Sequence, residues 1–191
     1  MKKISLLVFF ISLLGCEKTD QPENKIKEDV SFLAGDKLEG RETGTKGEQE
    51  AATYITKRFK EIGVEPKGIK GFLQVFTFKP KTDPHQEVKY STTSTDSTIT
   101  GTNVLGYIDN KANKTIVIGA HYDHLGFGVE GSFYKGEEKA IHNGADDNAS
   151  GVSVMLNLAS KLKQTNTSNN YLFIAFSGEE MGLLGSNYFV K

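Results

Sequence analysis

The sequence contains three short polar clusters, and each directly follows an apolar segment. The first is His121-Tyr122-Asp123-His124, after the apolar residues 115–120. Side chains two residues apart in an extended chain point the same way, so His121 and Asp123 can share a face. One can then bind a metal ion while the other orients or assists it, because metal-bound histidines often donate their second ring nitrogen to a carboxylate. Alone, this pair would fit a solvated strand end equally well.

The second cluster lies before a predicted helix and contains Asp146, Asp147 and Asn148 in a row. Asp and Asn commonly cap helices, but a cap needs only one acceptor side chain. A carboxylate can also bridge two cations and offset their mutual repulsion. We therefore expect one of the two aspartates to face inward.

The third cluster is Ser177-Gly178-Glu179-Glu180, after the apolar segment that ends at Phe176. Two adjacent carboxylates at the end of a buried strand repel each other, and a bound cation would neutralise one of them. The other could then act as a general base. An isolated Glu-Glu pair would instead indicate a solvated turn. Together the clusters supply His, Asp and Glu without a thiolate, which suits zinc better than manganese or cobalt.

Flanking residues extend the three clusters into longer motifs. These are Ile118-Gly119-Ala120-His121-Tyr122-Asp123, Gly144-Ala145-Asp146-Asp147-Asn148-Ala149-Ser150-Gly151 and Phe176-Ser177-Gly178-Glu179-Glu180-Met181-Gly182-Leu183-Leu184-Gly185-Ser186. In order and spacing they resemble the co-catalytic zinc exopeptidases, the family of bacterial leucyl aminopeptidases, aminopeptidase Y and the glutamate carboxypeptidase relatives. Leu38-Glu39-Gly40-Arg41 with Thr43-Gly44 resembles the family's region near the start of the mature domain. The resemblance runs from about Val30 to the last residue.

The resemblance implies a role for each matching residue and a site for two zinc ions. His121 would bind one ion, Glu180 the other, and Asp146 would bridge both. Glu179 would be the general base, and Asp123 the partner of His121. The peptide bond between residues 146 and 147 would be cis. His124 and His142 have no ligand role in the family pattern.

The family also has two further ligands downstream, an Asp and a His, whereas the eleven residues after Glu180 contain neither. The resemblance therefore implies a C-terminally truncated member that is inactive as it stands. The expected activity of the complete protein is removal of N-terminal residues from peptides. Two alternatives remain open, namely a binding module that has lost its metals and a glutaminyl cyclase-like transferase of the same fold.

Helices and strands alternate along the sequence, which predicts an α/β fold. The family implies three layers, with a mostly parallel mixed sheet between helices, incomplete at the C-terminus. Helices are expected over 25–33, 47–62, 149–162 and from 182, and strands over 72–78, 102–108, 115–120 and 171–176, with an edge hairpin within 88–100 and a glycine-rich loop over 121–145. Strand 115–120 is apolar throughout, as central strands are. Ligands of such sheets bind beyond the carboxyl ends of the strands, where the three clusters fall.

The N-terminal segment differs in character from the rest. Two lysines precede a short apolar run, and Leu13-Leu14-Gly15-Cys16 resembles a bacterial lipobox. We expect residues 1–15 to be a lipoprotein signal peptide, Cys16 to be lipidated and residues 16–24 to be a tether before a peptidase domain over 25–191. The protein would then be exported to the bacterial cell envelope and anchored to a membrane. The net charge of −1 does not fit a nucleic-acid binder.

Overall fold

The computed structural model describes residues 22–80, 87–95, 97–128, 132–165 and 168–191. The predicted signal peptide, Cys16 and most of the predicted tether lie outside these ranges. The first helix begins at Pro22, so the last three tether residues are helical instead. Within the described ranges, no helix combines the length and the apolar character that crossing a membrane requires.

The described elements follow the predicted order with small shifts at their ends. The helices are α1 (Pro22–Leu33), α2 (Lys46–Ile62), α3 (Gly151–Gln164) and α4 (Leu184–Val190). The strands are β1 (Glu65–Pro66), β2 (Leu73–Phe78), β3 (Tyr90–Ser91), β4 (Ile99–Ile108), β5 (Thr115–His121) and β6 (Asn170–Phe176). A 3-10 segment, Asp36–Arg41, precedes α2, and a π-helical turn, Ala145–Ser150, precedes α3. The edge hairpin predicted within 88–100 was wrong for the described residues, because β3 pairs with β2, and Ile99 and Thr100 belong to β4, which pairs with β2 as well.

The six strands form one mixed sheet in the order β3-β2-β4-β6-β5, with β1 also paired to β4. In the described part of the chain only β5 and β6 run parallel, and the other pairs are antiparallel. The prediction of a mostly parallel sheet is therefore wrong for these residues. The predicted central position of β5 is wrong as well, because β5 lies at the end of the strand order. Its residues Ile116 and Val117 are 42% and 55% exposed.

One face of the sheet packs against α1, α2 and α3. Ala51, Ile55 and Phe59 of α2 recur at four-residue spacing, lie on one side of the helix and are fully buried. The ring of Phe59 packs against Phe173 of β6 at 6.5 Å between centroids. Gly63 ends α2 at φ 80°, a left-handed conformation that glycine adopts without steric cost.

The opposite face packs against α4. Phe76 and Phe78 of β2 form a second buried cluster with Leu184, and Tyr188 stacks on Phe76 at 5.4 Å. Helices therefore cover both faces of the sheet. This confirms the predicted α/β fold with three layers.

The parallel pairing of β5 and β6 brings two of the polar clusters together. His121, the last residue of β5, is in register with Phe176, the last residue of β6. The main-chain N–H of Tyr122 also donates to the oxygen of Phe176 at 2.9 Å. The loops that follow these strands therefore leave the same edge of the sheet side by side.

Candidate metal centre

Three side chains converge where β5, β6 and the turn before α3 meet. Ligand atoms of His121, Asp147 and Glu180 all lie within 4.8 Å of one another. His121 Nε2 and Asp147 Oδ1 are 3.0 Å apart. One imidazole nitrogen and two carboxylates form a donor set that suits zinc. The predicted ligands His121 and Glu180 thus lie together.

The predicted bridging residue Asp146 is not in this group, and Asp147 takes its place. The chain turns sharply after Asp146, since Asp147 (φ −112°, ψ 92°) and Asn148 (φ −138°, ψ 41°) leave helical geometry. Both aspartates are exposed, but this turn brings only the side chain of Asp147 into the group, next to His121. The cis peptide bond joins Asp147 and Asn148, not residues 146 and 147 as predicted. The predicted cis bond was therefore wrong by one position, and the geometry groups Asp147, not Asp146, with the other two predicted ligands.

Asp123 is fully buried and holds both glutamates by their main chain. Its Oδ1 accepts the N–H of Glu179 at 3.1 Å, and its Oδ2 accepts the N–H of Glu180 at 3.3 Å. The hydroxyl of Thr43 donates to Oδ2 at 3.1 Å. Asp123 also lies beside His121, whose Nδ1 atom is 3.2 Å from the main-chain oxygen of Asp123 and 3.7 Å from its Oδ1. Asp123 therefore orients the glutamates as much as the histidine.

Glu179 lies beside the three converging residues, with Oε2 4.0 Å from His121 Nε2. Burial is the largest influence on this carboxyl group and raises its pKa. The charge of His121 lowers the pKa, whereas the negative charges of Glu180 and Asp123 raise it further, and the result is a pKa above the ordinary value. A carboxylate with a raised pKa is a better proton acceptor, as a general base must be.

The electrostatic environment of His121 favours a positive charge. Burial opposes protonation of the ring, but the hydrogen bond and charge of Asp123 and the charges of Glu179 and Asp147 raise its pKa to about 9. Without a cation, these carboxylates hold a proton on the histidine. The same carboxylates would stabilise a divalent cation, and His121 would bind that cation as a neutral imidazole. The residues present therefore fit a zinc ion.

His124, which has no ligand role in the family pattern, contacts the proposed ligand Glu180 and lines the same cleft. Its Nδ1 lies 2.6 Å from Glu180 Oε1. His142 instead bonds to the hydroxyl of Ser132 and meets the ring of Tyr134 edge-on. All of these residues line a cleft of about 460 Å³ that also reaches Asp147. The available signal was that His124 directly follows Asp123, the predicted partner of His121, but the family pattern gives His124 no ligand role.

Arg41 forms hydrogen bonds to several segments around the site. The sequence indicated this residue only as part of the motif Leu38-Glu39-Gly40-Arg41. Its buried guanidinium donates to the main-chain oxygens of Tyr122 at 2.7 Å, Asn143 at 2.7 Å and Gly144 at 3.0 Å, and also to that of Leu33. Burial lowers the pKa of Arg41 to about 10, against the opposing charges of two nearby aspartates. These partners are up to 103 residues away in sequence, so no local pattern could have indicated them.

The sequence was also compared with known proteins. Residues 103–191 match the profile of Peptidase family M28. The chain is 32% identical over 157 residues to the alkaline phosphatase isozyme conversion protein of Escherichia coli strain K12, which covers 80% of this chain and 41% of that protein. It is 37% identical over 94 residues to aminopeptidase YwaD of Bacillus subtilis strain 168, which covers 48% of this chain and 18% of that protein. The chain thus spans less than half the length of these relatives.

Among solved structures, a glutaminyl cyclase from Fimbriiglobus ruber matches with a TM-score of 0.69 at 19% sequence identity. The match covers 88% of this chain and 53% of that one. At this identity the likeness concerns the fold alone. It agrees with the α/β architecture described above.

Proposed function

We propose that this chain, whose residues 103–191 match the profile of Peptidase family M28, belongs to that family and forms part of a zinc aminopeptidase that removes residues from the amino ends of peptides. One observation carries the proposal. His121 at the end of β5, Asp147 in the turn before α3 and Glu180 after β6 converge at one edge of the sheet, with Glu179 beside them. An imidazole nitrogen and two carboxylates brought together from separate segments form a donor set that zinc binds in proteins.

The proposed metal ligands are His121, Asp147 and Glu180. In the two-ion arrangement that the family resemblance implies, Asp147 would be the shared ligand, and His121 and Glu180 would each hold one ion. Zinc, when bound, supplies a Lewis acid that polarises a carbonyl group and lowers the pKa of water. A catalytic zinc ion usually has three protein ligands, so two ions need more ligands than these three residues provide. We propose that the remaining ligands lie in a further segment of the complete protein.

In the proposed reaction, Glu179 transfers a proton from the attacking water to the leaving amine. A water oxygen attacks the carbonyl carbon of the first peptide bond while the carboxylate of Glu179 accepts a proton from that water. The carbon–nitrogen bond then breaks, and the proton passes from Glu179 to the leaving amine. Asp123 keeps Glu179 in place through the N–H of that residue.

We also propose that the protein is exported and held at the bacterial cell envelope by lipid on Cys16. The proposal rests on the sequence around that residue, where a positive start, an apolar run and a small residue precede the cysteine in order. Its peptide substrates would then be met outside the cytoplasm.

The activity is tested with the complete protein that contains this chain. It should hydrolyse leucine 4-nitroanilide, lose that activity in 1,10-phenanthroline and regain it with added zinc. The same substrate carrying an N-acetyl group is the control, since an aminopeptidase needs a free amine. Cleavage of the acetylated substrate at an equal rate would contradict an aminopeptidase. Release of ammonia from an N-terminal glutamine peptide, without nitroaniline release, would favour the glutaminyl cyclase-like alternative.

A further inference from the structure

A fully buried carboxylate, that of Glu48, lies in the first turn of α2 behind the metal centre. Its Oε2 accepts the N–H of Gly44 at 3.0 Å, and its Oε1 accepts the N–H of Thr102 at 3.0 Å. The hydroxyl of Ser177 donates to Oε1 at 2.6 Å. The Tyr122 hydroxyl lies 3.0 Å from Oε1 and 2.5 Å from the main-chain oxygen of Thr102, and shares its proton between these acceptors. Within the described ranges, no ion pair joins Glu48 to a cationic side chain.

Two of these partners belong to the loops that carry the proposed metal ligands. Tyr122 lies between His121 and Asp123, and Ser177 begins the loop that leads to Glu179 and Glu180. One oxygen of Glu48 therefore contacts the end of β5 and the end of β6 at once. The other oxygen holds Gly44, next to the threonine that donates to Asp123.

Helix capping does not account for the burial of Glu48. Thr45-x-x-Glu48 has the spacing of a capping box, in which the glutamate returns to the N–H of the first capping residue. Thr45 does accept the N–H of Glu48 at 3.4 Å, but the N–H of Thr45 donates to the oxygen of Glu42. The Glu48 carboxylate instead reaches inward to the sheet. Burial raises the pKa of this group in spite of its hydrogen bonds, which is the sign of a charge that is costly to bury.

We infer that Glu48 is a positioning residue for the metal centre. By holding the loops after β5 and β6 at a fixed spacing, Glu48 sets the affinity of the site for zinc. The inference rests on the proposed function, because it requires that His121, Asp147 and Glu180 bind the metal. Glu48 itself does not contact the converging ligand atoms. It acts through Tyr122 and Ser177.

The decisive variant is Glu48→Gln. Each carboxylate oxygen of Glu48 accepts a main-chain N–H. In the glutamine variant one of these oxygens is replaced by an NH₂ group, which cannot accept, so one of the two hydrogen bonds is lost in either orientation of the amide. The matched control is Glu50→Gln, on the same helix, where the glutamate makes only part-exposed ion pairs with Lys37 and Lys46. Both variants remove one negative charge from α2. Circular dichroism and thermal unfolding identify variants that fold like wild type.

Zinc affinity is measured on the complete protein that contains this chain by competition with a chromophoric chelator, and the ligand geometry by the visible spectrum of bound cobalt(II). Groups that orient metal ligands typically contribute about 10- to 100-fold in metal affinity, so folded Glu48→Gln should bind zinc at least about 10-fold more weakly and alter the cobalt spectrum. Glu50→Gln should match wild type in both. A folded Glu48→Gln variant with wild-type affinity and spectrum overturns the inference.

If Glu48→Gln does not fold, Tyr122→Phe and Ser177→Ala replace it, since each removes one donor to Oε1 and leaves the carboxylate in place. Each should lower the zinc affinity by a smaller factor, and wild-type affinity in both overturns the inference. A complete wild-type protein that binds no zinc at all instead contradicts the proposed metal centre, and the role of Glu48 falls with it.

Discussion

The carboxylate of Asp123 accepts the main-chain N–H of Glu179 across a distance of 3.1 Å. This bond joins the loop after β5 to the loop after β6, and the neighbouring N–H of Glu180 bonds to the other oxygen of the same carboxylate. The residue expected to orient a histidine thus also fixes the proposed general base and a proposed ligand. The geometry of the site depends on contacts between loops as well as on the ligands themselves.

We predict that Asp123→Asn weakens both the fold and zinc binding. The amide has one acceptor oxygen where the carboxylate has two, so a buried N–H loses its partner, which costs about 1–3 kcal/mol in the free energy of unfolding. Zinc affinity should fall by about 10- to 100-fold. Urea unfolding and chelator competition measure the two effects. Asp109→Asn is the control, because the surface carboxylate of Asp109 bonds to Lys111; an equal loss there would show that charge alone is responsible.

Asp146 and Asp147 form a matched pair for testing which aspartate binds the metal. Asp147→Asn should lose most of the bound zinc, because Asp147 lies 3.0 Å from His121 Nε2. Asp146→Asn should keep it, because that residue lies outside the converging group. Metal content after dialysis distinguishes the two. Loss of zinc in the Asp146 variant alone would restore the assignment made from the sequence.

Glu179→Gln should separate binding from catalysis in the complete enzyme. Glu179 lies beside the ligands but outside the converging group, so the variant should keep its zinc. Turnover should fall by about a hundred- to ten-thousand-fold, the usual contribution of a general base. Zinc content and hydrolysis of leucine 4-nitroanilide are measured on the same sample. Normal turnover would remove Glu179 from the mechanism.

Arg41→Lys should destabilise the protein although it conserves charge. A lysine ammonium cannot reproduce the planar fork with which Arg41 reaches several main-chain oxygens. At least one buried carbonyl group then loses its donor, so the free energy of unfolding should fall by about 1–3 kcal/mol. Thermal and urea unfolding measure the change. Unchanged stability would mean that these hydrogen bonds contribute little to the fold.

Cys16→Ser tests the proposed anchor in cells. The variant should be found in the soluble fraction after export, while the wild-type protein stays with membranes and incorporates labelled fatty acid. A single acyl chain holds a protein only marginally, so we expect more than one chain at the mature N-terminus. Equal distribution of the two proteins between fractions would contradict lipidation.

The sequence by itself determined the helices, the strands and the three clusters at their ends. These features depend on patterns within a few residues, such as the apolar spacing of α2 and the glycine that ends it. It also predicted His121, Glu179 and Glu180 as site residues, because they lie at or just beyond the ends of apolar strands and match family motifs.

Only the tertiary structure decided which aspartate faces the site, since Asp146 and Asp147 are chemically identical and the backbone turn alone distinguishes them. The same holds for the edge position of β5, because an apolar sequence predicts burial but not the strands beside it. The contacts of Arg41 and Glu48 were also beyond the sequence. Their partners lie up to 103 and 129 residues away, and such pairs meet only when the chain packs into three layers.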